Sequence, residues 1–261
     1  MRLYLVDAFT NDAFAGNTAG VVLLDEPADP AWMQSVATEL KHSETAFVQV
    51  AVDEDAPKPL RWFTPTAEVD LCGHATLATA HVLGGQQVFT TRSGLLRCTP
   101  AEGGVRMDFP ADPPKADPAL LAEVSPALPG LTAEDLEYTG RGVSDVLVQV
   151  ADAAQVRNLR PDIEAVSRIA ARALIVTAPG DRDGIDFVSR VFGPRVGIDE
   201  DPVTGSAHCT LAPFWAERLA KPELVGEQAS QRGGIVRAVP DGDRVRLIGA
   251  SVTVFEGNLL V

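Results

Sequence analysis

A motif that occurs twice limits what this chain can fold into. Residues 63–80 read Phe63-Thr-Pro-Thr-Ala-Glu-Val-Asp-Leu-Cys-Gly-His-Ala-Thr-Leu-Ala-Thr-Ala80. From Phe192 the chain reads Phe-Gly-Pro-Arg-Val-Gly-Ile-Asp-Glu-Asp-Pro-Val-Thr-Gly-Ser-Ala-His-Cys-Thr-Leu-Ala212. Each copy has Pro two residues after the Phe, then a β-branched residue and an acid (Val69 and Asp70; Ile198 and Asp199). Each then reaches a Gly, a small hydrogen-bonding residue (His74 or Ser206), an Ala and an apolar helical run. The offset, 192 minus 63, is 129 residues in a chain of 261, which implies two half-length copies of one unit. Two similar domains facing one another across a cleft follow, and clefts of that kind bind small ligands.

Composition excludes several classes of partner. A net charge of −14 opposes nucleic-acid binding and an anionic membrane surface. It leaves open an anionic small-molecule substrate held in a locally positive site. No leader or membrane-spanning run is evident, so a cytoplasmic location is expected. Cys72, Cys98 and Cys209 are an odd number without metal-ligand spacing, which suggests neither a disulfide framework nor a zinc site.

Periodicity supplies the elements. Strands are expected at Arg2–Phe9, with alternate residues on opposite faces, and at Gly20–Leu24, followed by a helix over Asp29–Leu40. Further strands begin near Thr45 and span Leu60–Phe63. The helix that follows Gly73 carries Leu77, Ala78, Ala80, Val82 and Leu83 on several faces, so it is buried nearly all round and ends at Gly84-Gly85. Three strands between Gln87 and Phe109 precede a proline-rich stretch, Pro110–Pro129, that reads as a linker. The second half repeats the plan, with a helix over Ser206–Leu219 and a last strand, Ser251–Leu260, that returns to the first domain. The expected domains are 1–113, completed by 251–261, and 114–250. Strands outnumber crossover helices, so the class is α+β, each domain a mostly antiparallel sheet or barrel around a buried central helix.

Two helices that each start with Gly and a side-chain donor offer backbone N–H groups to a carboxylate. Candidates for moving a proton nearby are Glu44, Asp70, Cys72, His74 and Asp201. Glu44, at a helix-to-strand junction, is either a solvated turn residue or a carboxylate pointed into a cavity. Asn17, after Gly16, either tolerates a left-handed turn or binds ligand. Cys72 is either a small buried residue or a thiol acidified by the helix dipole. His208 and Cys209 read as core, His81 as structural, and Arg190 as facing the cleft or lying at a rim.

Five segments in this order and spacing resemble one family: Gly16-Asn17, Ser43-Glu-Thr-Ala-Phe47, Phe63-Thr-Pro65, Cys72-Gly-His-Ala-Thr76 and Glu200-Asp-Pro-Val-Thr-Gly-Ser-Ala207. They look like the PhzF family of phenazine-biosynthesis-like isomerases, whose fold is that of diaminopimelate epimerase and proline racemase. The resemblance implies a cofactor-free isomerase, commonly a homodimer, acting on a small carboxylic acid without metal. It implies that Glu44 is the acid/base and that His74 assists in positioning and proton handling. Asp201 and Ser206 would contact the substrate's polar groups, and the N–H groups of Gly73 and Gly205 its carboxylate. Asn17 and Cys72 would lie at the substrate. Epimerases of this fold pair two cysteines, but Pro202 stands where the second would be, which argues against a two-thiol racemase. The rival readings are an epimerase using Cys72 opposite Glu44, and a small-molecule-binding homologue without turnover.

Overall fold

The computed structural model describes residues 1–261 except Val52, Glu54 and Asp55, and the chain divides into two units. The first comprises Met1–Phe109 with Leu247–Val261, the second Pro110–Arg246. The first opens with β1 (Arg2–Ala8) and β2 (Asn17–Leu24), antiparallel with Ala8 opposite Asn17. Alternation along β1 predicts one inner and one outer face. Instead Leu3, Tyr4, Val6, Asp7 and Ala8 are all buried, so the strand is covered on both sides. Gly16 has φ +64, and a Cβ there would sit 2.1 Å from the Ala8 carbonyl oxygen, a position only glycine fills. Phe9, Phe14 and Gly16 are the positive-φ residues of this turn, and Asn17 begins the extended strand.

Helix α1 (Pro30–Leu40) starts as its sequence dictates: Asp29 accepts from the Ala31 N–H at 2.9 Å and Pro30 occupies the first turn. Its buried face is Met33, Val36 and Ala37, packed near Phe47 and Phe63, whose rings meet edge-on at 5.5 Å. Lys41, at φ 56, ends the helix and donates to the Ala37 carbonyl. The chain then enters β3 (Glu44–Gln49), parallel to β2 with Glu44 beside Ala19. β4 (Lys58–Phe63) runs antiparallel to β3, and the short β5 (Glu68–Val69) doubles back along it. Next comes α2 (Gly73–Leu83), in which every residue from His74 to Ala80 is buried. Its alanines and threonines let neighbouring strands approach closely, as predicted for a helix without a polar face. β6 (Gln87–Thr91), β7 (Gly94–Ala101) and β8 (Gly104–Pro110) form an antiparallel meander, with β6 parallel to β4.

The stretch expected to be a linker is built into the second unit. It carries β9 (Lys115–Ala116) and α3 (Leu120–Val124), and Leu120, Val124, Ala127 and Leu128 belong to that unit's core. Prolines there shape turns between short elements, while the apolar residues between them supply the burial that a linker lacks. β10 (Leu136–Arg141), β11 (Val146–Val150), α4 (Ala153–Asn158), α5 (Ile163–Arg168), β12 (Leu174–Pro179), β13 (Phe187–Gly193) and β14 (Ile198–Asp201) follow. Then come α6 (Gly205–Leu219), β15 (Leu224–Gln228), β16 (Gly234–Asp241), β17 (Arg244–Gly249) and β18 (Ser251–Asn258). β18 pairs antiparallel with β1 along its length, with a bulge between Leu5 and Val6. Gly249, just before it, has no room for a Cβ, which would lie 2.4 Å from Phe9 and 2.8 Å from Leu77.

α6 contains Pro213, which cannot donate to the carbonyl four residues back. That carbonyl belongs to Cys209, and the Asp112 N–H takes it at 3.0 Å. The helix thus continues through its proline because an outside donor replaces the missing bond.

The repeat seen in sequence is a repeat in structure: β4, β5 and α2 correspond to β13, β14 and α6. Each copy also carries an ion pair. Arg61 binds Glu68 through two bonds of 2.7 and 2.8 Å and lies 5.3 Å from the Phe63 ring centroid. Arg190 binds Glu200 through bonds of 2.7 and 2.9 Å and lies 5.0 Å from the Phe192 ring centroid. Arg190 also donates to the carbonyls of Val156 and Leu159 and is buried. It lies within β13, opposite Val176 of β12, and is buried inside its unit, not at a rim. Most pairings in both units are antiparallel, with β2–β3 and β4–β6 parallel in the first and β11–β12 and β13–β15 in the second. The architecture is α+β, with two units on one plan, each placing a mostly antiparallel sheet around a buried helix. Among the described residues no helix is long and apolar enough to cross a membrane.

Candidate active site

The start of α2 collects side chains from three separate stretches. Asn17 and Glu44 are the first residues of the parallel strands β2 and β3, and Cys72 immediately precedes α2, with His74 second in it. The His74 and Glu44 side chains are 5% and 13% exposed, and Glu44 Oε2 lies 3.1 Å from His74 Nε2. That is ion-pair distance without N–H···O alignment, and neither atom has another hydrogen-bond partner among the described residues. Buried polar atoms are nearly always bonded, so two such atoms side by side mark a place with bonding capacity in reserve. The other ring nitrogen, Nδ1, has Asn17 Nδ2 at 3.2 Å and the Cys72 sulfur at 3.6 Å. Ser43 Oγ in turn donates to Asn17 Oδ1 at 3.2 Å.

Burial alone disfavours a charged imidazole at His74. The negative charges of Cys72, when ionised, and of Glu44 outweigh it and hold the group well above the usual histidine range. Cys72 is itself pushed up, first by burial and then by the charge of Glu44. Of the two readings of Cys72, a small buried residue or a thiol acidified by the helix dipole, the structure favours the first, because a thiol only 6% exposed loses more hydration on ionising than the helix end returns. Near neutral pH Cys72 is a thiol, and of the two negative partners of His74 only Glu44 then acts.

Glu44, Cys72 and His74 are also metal-ligand types, with one donor atom of each within 4.8 Å of the others. They are arranged in line, however, with sulfur beside Nδ1 and the carboxylate oxygen beside Nε2. An ion sits on one ring nitrogen, about 2.0–2.3 Å from each ligand atom. The two nitrogens point apart, so this geometry is a relay through the imidazole and not a chelate around one point.

The start of α6 is built differently. Asp201, at the end of β14, accepts from the Thr204 hydroxyl. Gln228, buried in β15, accepts from the Thr204 N–H at 2.8 Å and donates to the Asp201 carbonyl at 2.7 Å. The turn before Gly205 and Ser206 is thus pinned by an amide that no sequence signal marks. One turn into the helix, His208 Nδ1 donates to the Thr204 carbonyl at 2.9 Å. Burial pushes His208 down to about 4, so it is neutral at physiological pH. Burial pushes the Cys209 and Cys98 thiols up to about 12.

Other candidates lie elsewhere. Asp70 is exposed, 3.5 Å from Arg92, and His81 bonds the Thr253 hydroxyl at 3.2 Å. Ser43 is the participant that sequence reasoning left without a role; its position beside Glu44 was the available signal.

The phenazine biosynthesis-like family model, PhzC-PhzF, matches residues 6–257. An uncharacterized isomerase of Halalkalibacterium halodurans is 43% identical over 99% of this chain and 98% of its own length. A crystal structure of a PhzF-family phenazine biosynthesis protein from Enterococcus faecalis superposes with a TM-score of 0.92 at 39% identity, covering 100% of this chain and 99% of that one. A hydroxyproline epimerase from Agrobacterium vitis has a TM-score of 0.58 at 12% identity, over 98% of this chain and 91% of its own, a likeness of fold alone.

Proposed function

Because the chain belongs to the PhzC-PhzF family of phenazine biosynthesis-like proteins, we propose that it is a cofactor-independent isomerase in which Glu44 moves a proton on a small carboxylic acid. The observation that carries this reading is the pair of buried atoms, Glu44 Oε2 and His74 Nε2, set 3.1 Å apart with bonding capacity in reserve. A carboxylate beside a hydrogen-bond donor can take a proton from one carbon and return it to another.

In this reading the Glu44 carboxylate removes a proton from a carbon conjugated with the substrate's double bond. The C–H electron pair becomes a new C=C bond, the old double bond shifts, and its displaced pair takes the proton back from Glu44 at the far carbon. One C–H bond breaks and one forms, with no electrons gained or lost and no co-reactant. His74 steadies the charge that develops while the proton is on Glu44. Asp201 and Ser206 as contacts for the substrate's polar groups, and the N–H groups of Gly73 and Gly205 as carboxylate donors, are parts of the same proposal. So are a homodimeric state and a cytoplasmic location, both open to light scattering and cell fractionation.

The test is deuterium uptake from heavy water into a panel of small unsaturated carboxylic acids, with wild type and Glu44→Gln compared. Uptake that vanishes in the variant supports the reading. Uptake that survives in Glu44→Gln and vanishes in Cys72→Ser transfers the chemistry to the thiol. No uptake with any acid, alongside ligand capture from extract, supports a binding protein.

A further inference from the structure

The hydrogen-bond chain behind His74 has a direction. An amide oxygen only accepts, so the Ser43 hydroxyl, 3.2 Å from Asn17 Oδ1, donates to it. This turns the amide NH2 of Asn17 toward His74 Nδ1, 3.2 Å away. A donor aimed at a ring nitrogen requires a lone pair there. The Cys72 thiol, 3.6 Å from the same nitrogen, is a second, weaker donor. A neutral His74 in this setting carries its proton on Nε2, the nitrogen that faces Glu44.

We propose that Asn17, held by Ser43, is a positioning residue that reserves the Nδ1 lone pair of His74 and so makes the neutral imidazole a proton donor at Nε2. The consequence for catalysis rests on the functional reading above. With a lone pair at Nε2, His74 would compete with Glu44 as a base; with a proton there, it offers a hydrogen bond and leaves Glu44 as the single base. Charging His74 puts Nδ1–H against the Asn17 NH2, donor against donor. The amide must then turn over, and the Ser43 hydroxyl must change from donor to acceptor. Asn17 therefore opposes the protonation that the neighbouring negative groups favour.

Among the described residues, the titratable groups that act on His74 are Glu44 from β3 and Cys72 from the turn before α2. On β1 the buried Asp7 accepts from the Phe14 N–H at 2.7 Å and from the Thr18 hydroxyl, and on β18 Glu256 lies 3.7 Å from Arg2. Asn17 itself is fully buried, so its amide is oriented by protein partners.

Nitrogen-15 NMR of protein labelled at histidine tests this directly, with His74→Gln identifying the resonances, over a titration from about pH 5 to about pH 10. In wild type the neutral limb shows the Nε2–H tautomer alone. In Asn17→Ala the neutral limb contains both tautomers. In Asn17→Asp, where a carboxylate accepts from Nδ1–H, the midpoint rises by about one to two pH units, the scale of an added opposite charge. Ser43→Ala mixes the tautomers and Ser43→Thr, which keeps the hydroxyl, restores the wild-type pattern, so the Ser43 pair carries the test if Asn17 variants do not fold. A proton on Nδ1 in neutral wild type overturns the proposal, and so does a tautomer and midpoint indifferent to both positions. The spectra do not depend on turnover. A tautomer set by Asn17 together with exchange that survives in Glu44→Gln would reject the functional reading alone.

Discussion

Glu44 Oε2 and His74 Nε2 are 3.1 Å apart although the residues lie at the starts of different elements, a strand and a helix. The strand start fixes one and the helix start the other, and neither side chain is free to leave without exposing its neighbour's buried polar atom.

Replacing Glu44 with Gln keeps the size of the side chain and removes its ability to hold a transferable proton. Proton exchange into substrate should fall by roughly 10²–10⁴-fold, the usual contribution of a positioned acid/base. Mass spectrometry of recovered substrate measures this, and an unchanged thermal midpoint shows that the fold is intact.

Cys72 should be slow to alkylate at neutral pH, because burial and the Glu44 charge hold it as a thiol. Its rate with iodoacetamide should stay below that of the denatured protein at pH 7 and rise only in alkaline solution. Cys72→Ser should keep proton exchange within about tenfold, well short of the loss expected for a catalytic base. Fast labelling at pH 7 together with a large loss of exchange would return Cys72 to the chemistry.

His208 should make the second unit sensitive to acid. Its folded value, about 4, lies below the ordinary 6.5, so the unfolded chain binds the proton more readily. The stability this group supports is complete above pH 6.5 and is lost as pH falls toward 4, a change of about 3 kcal/mol. Urea denaturation at pH 7 and near pH 4 measures it, and the pH dependence should flatten in His208→Gln.

The two repeated ion pairs should differ in worth. Arg190→Met strands Glu200 and removes the donor to the carbonyls of Val156 and Leu159, which should cost about 3 kcal/mol. Arg61, with a side chain 29% exposed, should cost about 1 kcal/mol in Arg61→Met, since water replaces much of the lost contact. Chemical denaturation of both variants checks the order; equal losses would contradict the burial argument.

Much of this was legible in the chain. Asp29-Pro30, the glycines at 73 and 205, and the left-handed Gly84 are local signals, and local backbone energetics suffices to place α1, α2 and α6. The duplicated motif marked two units because a repeat must rebuild the same packing. Short elements were harder. α4 was missed although Asp152 and Gln155 form a capping box at its start, and β15 was hidden by the proline before it. The repeated Arg61 and Arg190, each two residues before its Phe, were visible, but their glutamate partners lie at slightly different spacings.

The sequence by itself indicated most of the longer strands, the two buried helices, the family and Asn17, Glu44, Cys72 and His74 as candidates, because these depend on local propensity and on side-chain identity. Tertiary structure decided the rest. It decided between the two readings of Cys72 in favour of a buried, reluctant thiol, drew Pro110–Pro129 into a core, and lined up Ser43, Asn17, His74 and Glu44 in one direction. Desolvation and hydrogen-bond direction depend on which groups meet from distant parts of the chain, and no local pattern encodes that meeting.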